Sequence, residues 1–89
     1  MWYVPIVTPN GIVWFPFDRL EPWERSLSAS QVNAVTGFLG SGDPTPLAAF
    51  QGVQLAGHPL ATDPADIEDL ADRGDLDFDQ FYWDPGKTP

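Results

Sequence analysis

Three aspartates on alternating positions, Asp75, Asp77 and Asp79, come nearest in type and spacing to a chemical site. Hard cations such as calcium gather several carboxylate oxygens, and a calcium-binding loop opens with this D-x-D-x-D pattern. Counted from Asp75, the sixth position, where the loop needs glycine, is Gln80, and the twelfth, where it needs a bidentate glutamate, is Gly86. The intervening Leu76 and Phe78 are large and apolar. A solvated or helix-capping acidic face is therefore expected, and no metal site.

His58 is the single histidine and the one side chain whose ordinary pKa lies near neutrality. Catalysis would require a nucleophile and a carboxylate to orient it, for which Thr62 and Asp63 are the nearest in sequence. Beside Pro59 in a turn, a polar loop residue is the expectation. One histidine and no cysteine leave too few ligands for ordinary zinc chemistry. Carboxylates for acid and base work are plentiful, but such work needs one pKa raised selectively by burial. These acids cluster on a face that reads as solvated, and a chain of 89 residues has little material for a deep cleft. Gly37, Gly40 and Gly42 lack the following Lys-Ser or Lys-Thr of a phosphate cradle. Arg73-Gly74-Asp75 spells a cell-adhesion tripeptide, yet Gly74 is accounted for as a helix terminator. No catalytic residue and no cofactor are expected.

Binding is the remaining task. Residues 63–84 hold nine of the 13 acids against one base, Arg73, with Ile67, Leu70, Ala71, Leu76, Phe78, Phe81, Tyr82 and Trp83 threaded between them. Such a segment docks one face on a core and displays carboxylates on the other. Glu68, Asp72, Asp75, Asp77 and Asp79, with the aromatic Tyr82, Trp83 and Trp23 beside polar residues, are the expected protein-binding residues. The net charge of -9, with Arg19, Arg25, Arg73 and Lys87 the only cations, opposes direct binding to nucleic acid or anionic membranes. The expected partner is another protein, favoured if its surface is basic.

The elements that must position these residues follow from the same chain. A single domain over residues 1–84 with a flexible tail at 85–89 is expected, without disulfides because cysteine is absent. No basic leader segment or membrane span is read, the apolar stretches at 2–7 and 12–17 being broken by Pro5 and Pro16; a cytoplasmic protein is expected. Those two stretches flank Pro9-Asn10-Gly11, and Asn-Gly between β-rich runs predicts an antiparallel hairpin, both turn residues accepting positive φ. Pro5 and Pro16 should face away from the ladder, which places the hairpin at a sheet edge open to another chain or a second copy.

Residues 18–27 read as an irregular connector. Ser28 and Gln31 fit a capping box opening a helix over residues 29–39, with Gly40 to end it. Residues 41–46 form a turn, 47–50 one helical turn, and 52–61 two very short extended pieces. Asp63-Pro64 starts a second helix that buries Ile67, Leu70 and Ala71 and stops at Gly74. A further short helix is favoured over a strand for residues 75–83.

Gly42-Asp43, Leu47, Phe50-Gln51-Gly52, Gly57-His58, Thr62-Asp63-Pro64 and Leu76-Asp77-Phe78 carry a resemblance. Through them, residues 42–82 are similar to segments of small uncharacterised proteins encoded by actinobacterial phages and mobile elements. The matching pieces are caps, turns and core positions, so the resemblance implies a shared fold module and an accessory protein of a phage, and assigns no residue a role.

The expected architecture is α+β, an amino-terminal hairpin, with a third strand at 53–55 as an option, against two or three short helices. The expected function is non-catalytic protein binding through the acidic face. Two sharper versions stand beside it. One is an inhibitor that imitates nucleic acid in the host cytoplasm, since Asp75, Asp77 and Asp79 on an extended chain lie about 6–7 Å apart, near phosphate spacing. The other is an assembly component, as of a virion, that adds its hairpin to a neighbour's sheet.

Overall fold

The structure, a computed structural model, describes residues 3–76. Expectations for Asp77, Asp79, Tyr82, Trp83, a helix continuing through them and the tail at 85–89 therefore lie outside the described residues. Strands β1 (Tyr3–Thr8) and β2 (Gly11–Pro16) form the antiparallel hairpin, from Tyr3 opposite Pro16 to Thr8 opposite Gly11. The two-residue loop is Pro9 and Asn10, one position earlier than expected, and of the pair Asn10-Gly11 the glycine alone has positive φ, at 138°. Thr8 organises the turn. Its hydroxyl accepts the Asn10 N–H at 3.2 Å and donates to the Gly11 carbonyl at 2.7 Å, while Pro9 supplies a preset negative φ.

β1 is the interior strand: Val4, Ile6 and Val7 are all fully buried, whereas β2 is half-buried along its length. Against β1 lies α1 (Pro22–Ser41), which is 20 residues long and begins seven residues before the expected start. Its capping box is Glu21 with Glu24, Pro22 stands at the first helical position, and Gly42, at φ 79°, ends it in place of Gly40. The connector is thus a 3-10 turn, Phe17–Arg19, followed directly by helix. Both E-x-x-E at 21–24 and S-x-x-Q at 28–31 match a capping box. The upstream one prevails because Pro22 fits only a first turn and nothing from Trp23 to Thr36 breaks a helix.

Ser28 and Gln31 are instead buried, on the helical stripe that continues through Val35 and Phe38. The Ser28 hydroxyl donates to the Pro5 carbonyl at 2.6 Å. The Gln31 side-chain amide meets Val7 reciprocally: Oε1 accepts the Val7 N–H at 3.1 Å and Nε2 donates to the Val7 carbonyl at 2.7 Å. The Ala61 N–H donates to that same carbonyl at 2.8 Å. Pro5 has no N–H to satisfy. The outward edge of β1 is thus closed by the chain's own groups, which corrects the expectation of an edge open on that side.

After α1, a 3-10 turn over Thr45–Phe50 buries Leu47 and Phe50. Strands β3 (Gln54–Leu55) and β4 (His58–Pro59) pair with each other in a separate two-stranded sheet and do not join the hairpin. Their turn places both Ala56 (φ 51°) and Gly57 (φ 82°) in the left-handed region, the geometry of a primed hairpin turn. Helix α2 (Pro64–Asp72) starts as expected: Asp63 Oδ1 accepts the Ala65 N–H at 2.9 Å, and Pro64 stands in the first turn. It stops as expected too, with Gly74 at φ 77°, the Gly74 N–H on the Ala71 carbonyl and the Asp75 N–H on the Leu70 carbonyl. Ile67 and Leu70 enter the common core with Val35, Phe38 and Leu55, and Ala71 is half-buried. The fold is α+β, a hairpin packed with helices.

Two predictions follow from α1. Gln31→Leu keeps the volume but strands the Val7 N–H, so chemical denaturation should show a loss of about 1–3 kcal/mol. Gly37 and Gly40 lie inside the helix with nothing within 4 Å of where a Cβ would stand. Gly37→Ala and Gly40→Ala should each raise stability by about 0.5–1 kcal/mol in the same assay.

Candidate protein-binding surface

Helix α2 turns its sequence into a two-sided object. Ile67 and Leu70 point to the core, while Glu68, Asp69 and Asp72 are exposed at helical spacing on the other side. Asp75 follows the glycine stop and is exposed as well. The segment from Asp63 to Asp75 holds six acids against Arg73. Arg73 Nε lies 3.4 Å from Asp69 Oδ2 and 3.5 Å from Asp75 Oδ2. These side chains are half exposed or more, so the pairs contribute little to stability but hold Asp69 and Asp75 to either side of one cation. Glu68 and Asp72 have no ion-pair partner among the described residues.

Asp72 stands where two effects oppose it. It is the last residue of α2, where the helix dipole favours a cation, and it is one turn from Glu68, a like charge. Asp63 and Asp66, by contrast, occupy the cap and first turn, where a negative charge is favoured. The face therefore combines acids explained by the helix with an acid that works against it.

Trp23, grouped with these residues by sequence, stands on a different element, the first turn of α1. It is 59% exposed, and its indole N–H donates to Glu21 Oε2 at 2.6 Å. Of the eight expected binding residues, Glu68 and Asp72 stand one turn apart on α2, Asp75 follows its glycine stop and shares Arg73 with Asp69, Trp23 is placed apart on α1, and Asp77, Asp79, Tyr82 and Trp83 lie outside the described residues. Tyr3, 44% exposed, is an aromatic surface residue that sequence reasoning missed. It sits in an apolar run, and only the burial of the following Val4 to Thr8 sets it apart.

Other chemistry finds little material. His58 is half-buried in β4, and Asp63, the carboxylate nearest to it in sequence, is committed to capping α2. A cavity of about 390 Å³ is lined by Pro44, Thr45, Ala48, Gln51, Thr62 and Pro64, none of which titrates. Asp43 has its carboxyl held below the ordinary aspartate value, first by the Thr45 side chain and then by the Thr45 N–H, whose bond to Oδ1 is 3.0 Å. That cause is a turn, not a cleft. Among the described residues, no group of three or more His, Cys, Asp or Glu side chains is placed to hold a metal ion, and no helix is long and apolar enough to cross a membrane. Comparison with family models, with curated proteins and with solved structures found no match.

The position of Asp72 yields a prediction. Asp72→Lys removes a repulsion, suits the helix dipole and gains a Glu68 partner one turn away. Its unfolding free energy should rise by about 0.5–1 kcal/mol, and a fall would mean that Asp72 has a stabilising contact.

Proposed function

We propose that the protein is a non-catalytic binding module whose partner presents a basic surface to the face formed by Glu68, Asp72 and Asp75. The observation that carries this reading is Asp72, an exposed acid at a helix end and one turn from another acid, where folding alone favours the opposite charge. Residues that work against stability concentrate where function needs them. The sequence continues the same charge through Asp77 and Asp79. Carboxylates in this number steer a cationic partner into encounter and set which partner is accepted, while aromatic side chains buried at the contact supply affinity. The rigid underside of Ile67 and Leu70 supports the reading, because a preformed helix loses little entropy when it is engaged.

A groove-filling inhibitor that imitates nucleic acid is the narrower form of this reading: Glu68 and Asp72 repeat along the helix at about 5–6 Å, a spacing a phosphate-binding groove would accept. Sheet addition at β1 is disfavoured, since a neighbour's strand would have to displace Gln31 and Ala61.

The test is capture of a partner from host extract by the wild-type chain and by the variant Glu68→Gln, Asp72→Asn, Asp75→Asn. The captured protein should be basic, should dissociate steeply as salt rises, and should bind the variant about tenfold or more weakly. Equal recovery by both chains at low and high salt would remove the proposal.

A further inference from the structure

Among the described residues, the two most exposed large apolar side chains, Tyr3 and Trp23, lie at one end of the hairpin–helix pair. β1 and α1 pass each other in the same sense, Pro5 meeting Ser28 and Val7 meeting Gln31. Tyr3 is two residues upstream of Pro5, about 7 Å along the strand, and Trp23 is five residues upstream of Ser28, about 7.5 Å along the helix. Both fall beyond the clasp, at the open end of the hairpin. Phe17 is there too, with the Arg25 guanidinium over its ring at 4.1 Å from the centroid.

Trp23 is held in place. Its only polar atom is already used, Nε1–H donating to Glu21 Oε2 at 2.6 Å, and Glu21 is itself fixed by the reciprocal capping box with Glu24. What remains for a partner is an aromatic face with the Glu21 carboxylate at its edge and the Glu24 carboxylate close by, on the Glu21 N–H. A charge-assisted bond on the N–H also pushes electron density into the ring. An aliphatic or proline side chain would cover this face but desolvate the carboxylates without pairing them. A guanidinium suits both parts, being a flat cation that stacks on an indole and donates to carboxylates at its edge. The half positive charge of the α1 N-terminus is outweighed by Glu21 and Glu24. The chain makes the same kind of contact within itself, Arg25 on Phe17, so that cation is occupied and does not compete.

We propose that Trp23, with Glu21 and Glu24, is the docking point for an arginine side chain of a partner's extended segment. This rests on the reading that the partner is basic and names a second contact on a separate element from α2.

The experiment titrates the ¹⁵N-labelled protein with an end-blocked peptide of alternating glycine and arginine, and with the same peptide carrying citrulline, a neutral shape match. The Trp23 indole N–H resonance, identified by its loss in Trp23→Leu, should shift and saturate with the arginine peptide and stay in place with citrulline. Trp23→Leu should weaken binding about fivefold while unfolding normally, since the side chain is exposed. The Glu68→Gln, Asp72→Asn, Asp75→Asn variant should keep the Trp23 shift. An equal response to citrulline, or unchanged affinity in Trp23→Leu, overturns the inference. In host capture, a partner lost by the α2 variant yet held fully by Trp23→Leu sinks this inference alone. A partner lost by Trp23→Leu yet held by the α2 variant sinks the α2 reading alone.

Discussion

The structure turns on a side-chain amide that behaves as a piece of strand. β1 is buried on both faces, so each peptide group on its outward edge must find a partner inside the protein or leave a polar atom stranded. Gln31 offers one acceptor and one donor in the spacing of a backbone peptide and meets both groups of Val7. Ser28 serves the Pro5 carbonyl, and proline removes the one donor that would otherwise be left over. These bonds fix the rotation and height of α1 on the hairpin, and so decide that Val35 and Phe38 face the core formed with Leu55, Ile67 and Leu70. The Ala61 amide, joining at the same carbonyl, ties the approach to α2 to the same point.

That arrangement also explains where the sequence misleads. An apolar stripe with period 3.6 is visible from Val32 onward, but the first half of the α1 stripe is polar, because it answers to backbone and not to side chains. Ser28 and Gln31 therefore mimic a helix start in the middle of a helix. The better signal was Glu21-Pro22 with Glu24, where proline admits only one position. The hairpin was legible to within a residue: its second strand, expected over 12–17, runs Gly11–Pro16, and the turn moves with it, the Thr8 hydroxyl accepting the Asn10 N–H and donating to the Gly11 carbonyl. The two-stranded β3–β4 unit was half legible: its short extended pieces follow from Val53, Leu55 and Leu60, but a turn through Ala56, a residue seldom seen at positive φ, carries little signal.

α2 was the most legible part, because each of its features is local. A capping aspartate, a first-turn proline, two core residues three apart and a terminating glycine leave one solution, and the acids fall outward by elimination. The acidic half of the candidate site was therefore readable from sequence. Its aromatic half was legible only at Trp23, which stands among polar residues and is exposed; the exposure of Tyr3 depends on how α1 lies against the hairpin, which the polar clasp decides, and Tyr82 and Trp83 lie outside the described residues. Among the described residues the two are separated: six of the acids lie from Asp63 to Asp75, on α2, its cap and its stop, while the exposed Tyr3 and Trp23 stand where the hairpin opens.

The clasp on β1 recognises main-chain atoms only. The hydrogen bonds of Ser28 and Gln31 go to carbonyls and an amide, and none of them to a side chain of β1. Their demand is thus on the path of the polypeptide and is blind to the letters along it, apart from the missing donor at Pro5. Sequence drift in the hairpin is answerable to the core and to solvent, while the helix that grips it has two positions with almost no freedom to vary.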